Sequence, residues 1–84
     1  MKKDVMLVLV SLRSKQAPRV QKILTDWGCL IKTRLGLHEG TLKDCTESGL
    51  LFLELVGTSA QHKELARKLN LLSGVQAKLI KLRV

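Results

Sequence analysis

The chain has 84 residues, of which 45% are hydrophobic and 26% charged. This composition is typical of a folded domain and excludes an extended disordered tail. No apolar segment reaches the roughly 20 residues of a membrane-spanning helix, and basic residues directly after the first apolar segment argue against a signal peptide. Fifteen Lys and Arg against seven Asp and Glu give a net charge of +8, which favours anionic partners.

The only two cysteines lack a CxxC spacing, and a disulfide-stabilised secreted domain of this size normally carries four or more. We therefore expect a cytoplasmic protein with reduced thiols, folded as a single domain over residues 1–84.

Residues 5–10, VMLVLV, are apolar without interruption, which predicts a strand buried on both faces. Residues 14–27 have a helical pattern, with Pro18 in the first turn and Gly28 as a left-handed end. The apolar positions on one face of this helix are Val20, Ile23, Leu24 and Trp27.

Residues 29–38 change to a period of two, which predicts a half-exposed strand. One row of this strand, expected to face the core, is Cys29, Ile31, Thr33, Leu35 and Leu37. A polar loop over residues 39–49 follows. Residues 50–56, LLFLELV, predict another strand that is apolar on both faces, and Gly57 ends it.

Thr58 and Gln61 have the spacing of a capping box, which predicts the start of a second helix. Its buried face is Leu65, Leu69 and Leu72. Ser73 and Gly74 end this helix, and residues 75–84 predict the last strand. The apolar positions change face near the end of that strand, which indicates either a bulge or a strand packed on both sides.

The element order is therefore β-α-β-β-α-β. Gly28 aligns with Gly74, 46 residues later, and Leu7 aligns with Leu53 at the same offset, which indicates a duplicated β-α-β unit. Two right-handed crossovers joined in this way predict a ferredoxin-like α+β sandwich, with an antiparallel four-stranded sheet of order 4-1-3-2 and both helices on one face.

The two central strands of this sheet would be apolar on the face away from the helices. An uncovered face of this kind exceeds what monomers usually expose, so we expect a second copy of the chain to cover it, as a dimer or tetramer. The residues expected on this face are Met6, Val8, Val10, Leu50, Phe52 and Val56.

Histidines, cysteines and acidic residues form no recognised metal-ligand spacing. Across an oligomer interface, a transition metal could be ligated by His38, Glu39, Cys45, Cys29 and His62. Because the spacing is missing, we predict no metal site. The more ordinary interpretation is that Cys29 is a small buried residue and that His62 borders a helix interface.

Catalytic motifs are absent: the sequence has no Ser-His-Asp pattern, no phosphate-binding loop and no paired carboxylates suited to a cleft. We therefore predict neither an enzyme nor a bound cofactor. A basic module that binds nucleic acid without sequence specificity is the alternative, since cations recur along both helices. Its residues would be Lys15, Arg19, Lys22, Lys63 and Arg67.

Residues 68–78, KLNLLSGVQAK, resemble the end of the second helix and the last strand of ACT-type regulatory domains. Within that group, this segment and Arg34-Leu35-Gly36, followed by a polar loop and an apolar strand, resemble the small iron-only hydrogenase system regulators. Those proteins are in turn similar to the C-terminal domain of the nickel-responsive repressor. The resemblance implies oligomerisation, a regulatory role and a small effector bound where subunits meet.

We accordingly expect a cytoplasmic regulatory domain that senses a small effector or binds a protein partner, with transcriptional regulation of an iron-only hydrogenase system implied by the resemblance alone. The effector would lie at the loop after the first strand, where two cations favour an anion. The loop residues are Ser11, Arg13, Ser14 and Lys15.

Overall fold

The described residues form four strands and two helices in the predicted order. The computed structural model describes residues 1–11, 13–38 and 49–84, with the side chains of residues 13, 14 and 38 excluded. The elements are β1 (Lys2–Val10), α1 (Arg13–Asp26), a 3-10 turn (Gly28–Leu30), β2 (Ile31–His38), β3 (Gly49–Leu55), α2 (Ser59–Asn70) and β4 (Val75–Arg83).

The strands form one antiparallel sheet of order β2-β3-β1-β4, which confirms the predicted ferredoxin-like topology. β1 is central and pairs with β3 on one side and with β4 on the other. Both helices pack on the same face of the sheet, because buried residues of α1 and α2 join one cluster with residues of the strands. The described helices include none long and apolar enough to cross a membrane.

The hydrophobic core lies between the sheet and this helix layer. Leu53 and Leu55 of β3 face it. The buried apolar residues are Val5, Met6, Val8, Val10, Val20, Leu24, Leu53, Leu55, Leu65, Leu69, Val75 and Ala77. All of these except Val5 belong to the core cluster.

The predicted faces of β1 were reversed. Met6, Val8 and Val10 were expected on the face away from the helices, but they pack under the helices and are at most 4% exposed. Met6 pairs with Leu53 across the sheet, and paired residues of adjacent strands project to the same face. Leu7 and Leu9 therefore point away from the helices. Because side chains alternate along a strand, an error of one residue reverses the whole row.

β2 differs from its prediction in a similar way. Cys29 was expected to be buried, but it lies in the 3-10 turn before the strand and is exposed. The pairing register shifts between Ile31 and Thr33, so the two residues do not continue one regular row. Leu35 pairs with Phe52, which places it on the face away from the helices.

The helix start and the glycine turn predicted in the second half of the chain are both present in the structure. Thr58 and Gln61 form a complete capping box at the start of α2. Gly74 adopts a positive φ of 74° in the turn after α2. In the first half, Gly28 begins the 3-10 turn and is not among the positive-φ glycines, and Pro18 lies inside α1 beyond its first turn.

β4 is apolar on both faces, and its pairing with β1 runs without a bulge. Val75, Ala77 and Leu79 face the helices together with their partners on β1. Ile80 pairs with Val5, and both point to the opposite face. Of the two alternatives left by the sequence, the bulge is absent from this pairing, and the second face of β4 is apolar near its end but not packed against a helix.

The observed faces of β1 predict opposite effects of a glutamate at two neighbouring residues. Met6→Glu would bury a carboxylate in the core, at a cost of several kcal/mol that is comparable to a whole-domain stability of about 5–15 kcal/mol. We expect this variant to lose its far-UV circular dichroism signal. Leu7→Glu places the same group on the other face and should remain folded. A cooperatively folded Met6→Glu protein would contradict the assigned face.

Candidate functional site

The sheet face opposite the helices, here called the open sheet face, carries a continuous apolar surface. No helix within the described residues covers it. Its apolar members are Val5, Leu7, Leu9, Leu35, Leu37, Leu50, Phe52, Ile80 and Leu82. Four of them, on β1, β2 and β4, are between 47% and 53% exposed, so the surface is open to solvent in one chain.

Pairing across the strands arranges these side chains in rows. Leu37, Leu50 and Leu9 form one row, and the next row is Leu35, Phe52 and Leu7. The apolar area is therefore densest over β2, β3 and β1. Toward β4 the same two rows end in polar residues, at Gln76 and Lys78.

Glu54 is the one acidic residue that the described strands place on the open sheet face. Its carboxylate lies 2.7 Å from the Lys3 ammonium and 3.9 Å from that of Lys32, and it accepts a 3.1 Å hydrogen bond from Thr33. The Lys3 contact, then the Thr33 hydroxyl, lower the pKa of Glu54 below its usual value. This ionic group limits the apolar area at one end of the face.

Two of the six residues predicted for this face are placed on it, namely Leu50 and Phe52. Met6, Val8 and Val10 belong to the core instead. Val56 follows the end of β3, where its amide donates to the Leu30 carbonyl, and is 43% exposed.

The loop after β1 is fixed against the turn between α2 and β4. Both the amide and the hydroxyl of Ser11 donate to the Gly74 carbonyl, at 2.8 and 2.9 Å. Lys15 is exposed on the first turn of α1. The predicted ligand residues Arg13 and Ser14 have side chains outside the described part of the structure. A depression of about 280 Å³ beside Ser11 and Gly74 marks this end of the sheet.

Gln16 supports the same loop and was not singled out from the sequence. Its side chain is 1% exposed, and its amide nitrogen donates to the Ser73 carbonyl at 2.6 Å. Its carbonyl oxygen has no hydrogen-bond partner in the structure as described. A polar residue on the apolar side of α1, one turn before Val20, is the signal that could have identified it.

The residues of the nucleic-acid alternative all lie exposed on the helix layer, opposite the open sheet face. Lys22 forms a 3.1 Å ion pair with Asp26, and Arg67 forms two hydrogen bonds with Glu64. The Glu64 carboxylate raises the pKa of Arg67, which is a cation in any case. Two of the five cations are thus already paired with carboxylates.

A buried ionic cluster lies at the other end of the sheet. The Asp4 carboxylate is 2.6 Å from His62 Nδ1 and accepts a 2.9 Å hydrogen bond from Arg83. The second ring nitrogen of His62 lies 2.7 Å from the Val56 carbonyl oxygen. Asp4 and His62 are 7% and 2% exposed. Sequence reasoning missed this cluster, although an aspartate beside an apolar strand and a histidine one turn before Leu65 were available as signals.

The described residues include His62 and Cys29 among the candidate metal ligands. They contain no group of three or more His, Cys, Asp or Glu able to hold a metal ion. His62 is engaged on both ring nitrogens, and Cys29 is exposed in the 3-10 turn. The side chain of His38, together with Glu39 and Cys45, lies outside the described residues.

No protein-family model matches the chain, and neither does any curated protein. Solved structures do match. An uncharacterised protein from Thermotoga maritima, TM1266, is 24% identical, with a TM-score of 0.82 over 99% of this chain and 100% of that one. A dimeric ferredoxin-like protein from an uncultured marine organism is 9% identical, with a TM-score of 0.55 over 99% and 94%.

CPII of Thiomonas intermedia, a nitrogen regulatory PII-like protein, is 8% identical to the chain, with a TM-score of 0.62 over 100% of this chain and 92% of that one. A further structure of CPII, at a TM-score of 0.59, contains ADP, AMP and acetate. At these identities the likeness establishes the ferredoxin-like fold.

The contacts of Asp4 with His62 and Arg83 predict a specific loss of stability in acid. The His62 hydrogen bond, followed by the Arg83 contacts, lowers the pKa of Asp4 in the folded state against the opposing effect of burial. A carboxyl with a lowered pKa stabilises the fold above its unfolded value of about 4, and that contribution is lost as the pH falls through the lowered pKa. Urea unfolding from pH 7 to pH 3 should therefore show a smaller decline for Asp4→Asn than for wild type.

Asp26→Asn is the matched control, since Asp26 is exposed and its ion pair with Lys22 contributes little. Its unfolding profile should follow that of the wild-type protein. Parallel profiles for wild type and Asp4→Asn would show that Asp4 is not the responsible group.

Proposed function

We propose that the chain is an ACT-like regulatory domain that self-associates through its open sheet face and binds a small anionic effector, without catalysing a reaction. The observation that carries this proposal is the apolar surface of β2, β3 and β1, which one chain leaves in water. Burial of apolar surface contributes about 25 cal/mol per Å², so covering this face would release several kcal/mol.

The dimensions of the face suit a second copy of the chain. Four strands about 4.8 Å apart, crossed over about seven residues at ~3.3 Å each, give a face of roughly 19 by 23 Å. Two such faces in contact bury on the order of 1,000 Å², the lower limit for a specific interface. A self-complementary face needs no other partner, since a two-fold axis brings the same apolar rows together.

Charge favours association by faces over association by edges. The β4 edge carries Lys78, Lys81 and Arg83, and the β2 edge carries Lys32 and Arg34. Joining β4 edges, or β2 edges, would bring two sets of cations to one seam. Lysine on an edge strand is a common means of preventing such pairing.

Leu9→Glu tests this interface. Leu9 is 47% exposed in one chain, so the glutamate should be tolerated by the fold but should leave an unpaired carboxylate at a face-to-face interface. We expect the wild-type chain to be a dimer or tetramer by light scattering, and Leu9→Glu to be a monomer.

Leu71→Glu is the matched control, because Leu71 is 70% exposed at the C-terminal cap of α2, away from the open sheet face. It should keep the wild-type mass. A wild-type monomer at high protein concentration would contradict the proposed association, as would a Leu9→Glu protein of unchanged mass.

The effector site is proposed at the loop after β1. Its support is Lys15, exposed on the first turn of α1, together with the cationic Arg13 of the sequence. The neighbouring Ser11 and Gln16 bind the turn of Ser73 and Gly74. CPII, of similar fold, has been solved with ADP, AMP and acetate, all anions. The hydrogenase system as regulatory target rests on sequence resemblance alone.

ADP, AMP and acetate are therefore the first probes. We expect ADP or AMP to raise the melting temperature of the wild-type protein, because a ligand that binds only the folded state stabilises it by mass action. Lys15→Glu should abolish the shift, whereas Lys63→Glu, an exposed charge reversal on α2, should retain it. No shift with any of the three probes would contradict an effector of this class at this loop.

The exposed cations of the helix layer keep nucleic acid as the second candidate. If they bind it, duplex DNA should be retained with an affinity that falls steeply with salt. Lys63→Glu and Lys15→Glu should then weaken DNA binding to a similar degree, which distinguishes this function from effector binding at the loop.

A further inference from the structure

Both ring nitrogens of His62 face hydrogen-bond acceptors. Nδ1 lies 2.6 Å from a carboxylate oxygen of Asp4, and Nε2 lies 2.7 Å from the backbone carbonyl oxygen of Val56. A carbonyl oxygen can only accept, so Nε2 must carry a hydrogen. A neutral imidazole has one N–H, which leaves none on Nδ1 to donate to Asp4.

From this geometry we infer that His62 is a buried imidazolium, which binds the start of α2 to β1 and to the end of β3, and whose deprotonation loosens this end of the domain. The two N–H groups then satisfy both acceptors. Without the extra proton, the Nδ1 lone pair would face an oxygen lone pair at 2.6 Å.

The Asp4 carboxylate favours a proton on the His62 ring, and the neighbouring cations oppose one. These cations are Arg83, Lys2 and Lys81, the last of which pairs with Asp4 across the sheet. Within the described structure, Asp4 of β1 is in direct contact with the ring, Arg83 of β4 binds the other carboxylate oxygen, and Lys2 lies at the same cleft. The guanidinium of Arg83 favours an ionised Asp4 over a carboxylic acid that would donate to Nδ1. The pKa of Asp4 is lowered accordingly, first by the His62 hydrogen bond.

A cleft gives this cluster access to solvent. It has a volume of about 470 Å³ and is lined by Asp4, His62, Arg83 and Lys2, together with Thr58 and Ser59 at the start of α2. Protons can therefore exchange with solvent without unfolding of the core.

The proton on His62 makes the stability of the fold depend on pH in one direction. An unfolded chain at pH 8 holds a largely neutral histidine, whose ordinary pKa is about 6.5, so unfolding releases the proton held by the folded state. Stability consequently falls as the pH rises above neutrality. The unfolding equilibrium constant should increase by up to about tenfold per pH unit, the limit for one proton.

Nitrogen-15 NMR of the imidazole rings tests the inference directly. The chain has two histidines, so His38→Gln leaves only the ring of His62 to be observed. His38 is the last residue of β2, at the opposite end of the sheet from the ionic cluster. At pH 7.5 a free imidazole is about nine-tenths neutral. We expect both ring nitrogens of His62 to carry protons at this pH. A ring with an unprotonated Nδ1 would overturn the inference.

Urea unfolding between pH 7 and pH 9 provides the second measurement. The stability of wild type should decline over this range, whereas His62→Gln should show a flat profile even if it is less stable. Should His62→Gln fail to fold, the ring spectrum of the His38→Gln protein decides the question. Equal declines for wild type and a folded His62→Gln protein would also contradict the inference.

Discussion

The contact between Asp4 and His62 determines which face of the central strand is the core. Asp4 can be buried on the helix side only because His62 and Arg83 neutralise its charge there. Alternation along β1 then places Met6 and Val8 under the helices. If the other row of β1 side chains faced the helices, Asp4 would lie in water. The buried His62 on α2 would then lose its hydrogen-bond partner, which is costly inside a protein.

Sequence patterns predicted the element order and the capping of α2, because each depends on residues close together in the chain. The sheet order then followed from the handedness of two β-α-β crossovers. The faces of β1 could not be predicted in this way. VMLVLV is apolar at every position, so no polar residue within it marks the outer side. The deciding partners of Asp4 are 58 and 79 residues away, and their pairing exists only once the fold has formed.

The candidate site was predictable in kind but not in detail. Two apolar central strands and a single helix layer are enough to predict an uncovered sheet face, whichever row of β1 side chains faces the helices. The contributions of β2 and β4 were missed. Leu35 and Leu37 were expected to face the core, but the irregular pairing near Ile31 and the pairing with β3 place them on the open sheet face. Ile80 and Leu82 follow from the two-sided character of β4.

Neighbouring residues on β1 and β4 serve different parts of the molecule. On β1, Asp4 belongs to the ionic cluster and Val5 to the open sheet face. On β4, Arg83 belongs to the ionic cluster and Leu82 to the open sheet face. Consecutive residues of these two strands thus contribute to the cluster on one face of the sheet and to the open sheet face on the other. The proton on His62 and the surface proposed for self-association are therefore joined by two strands of one sheet.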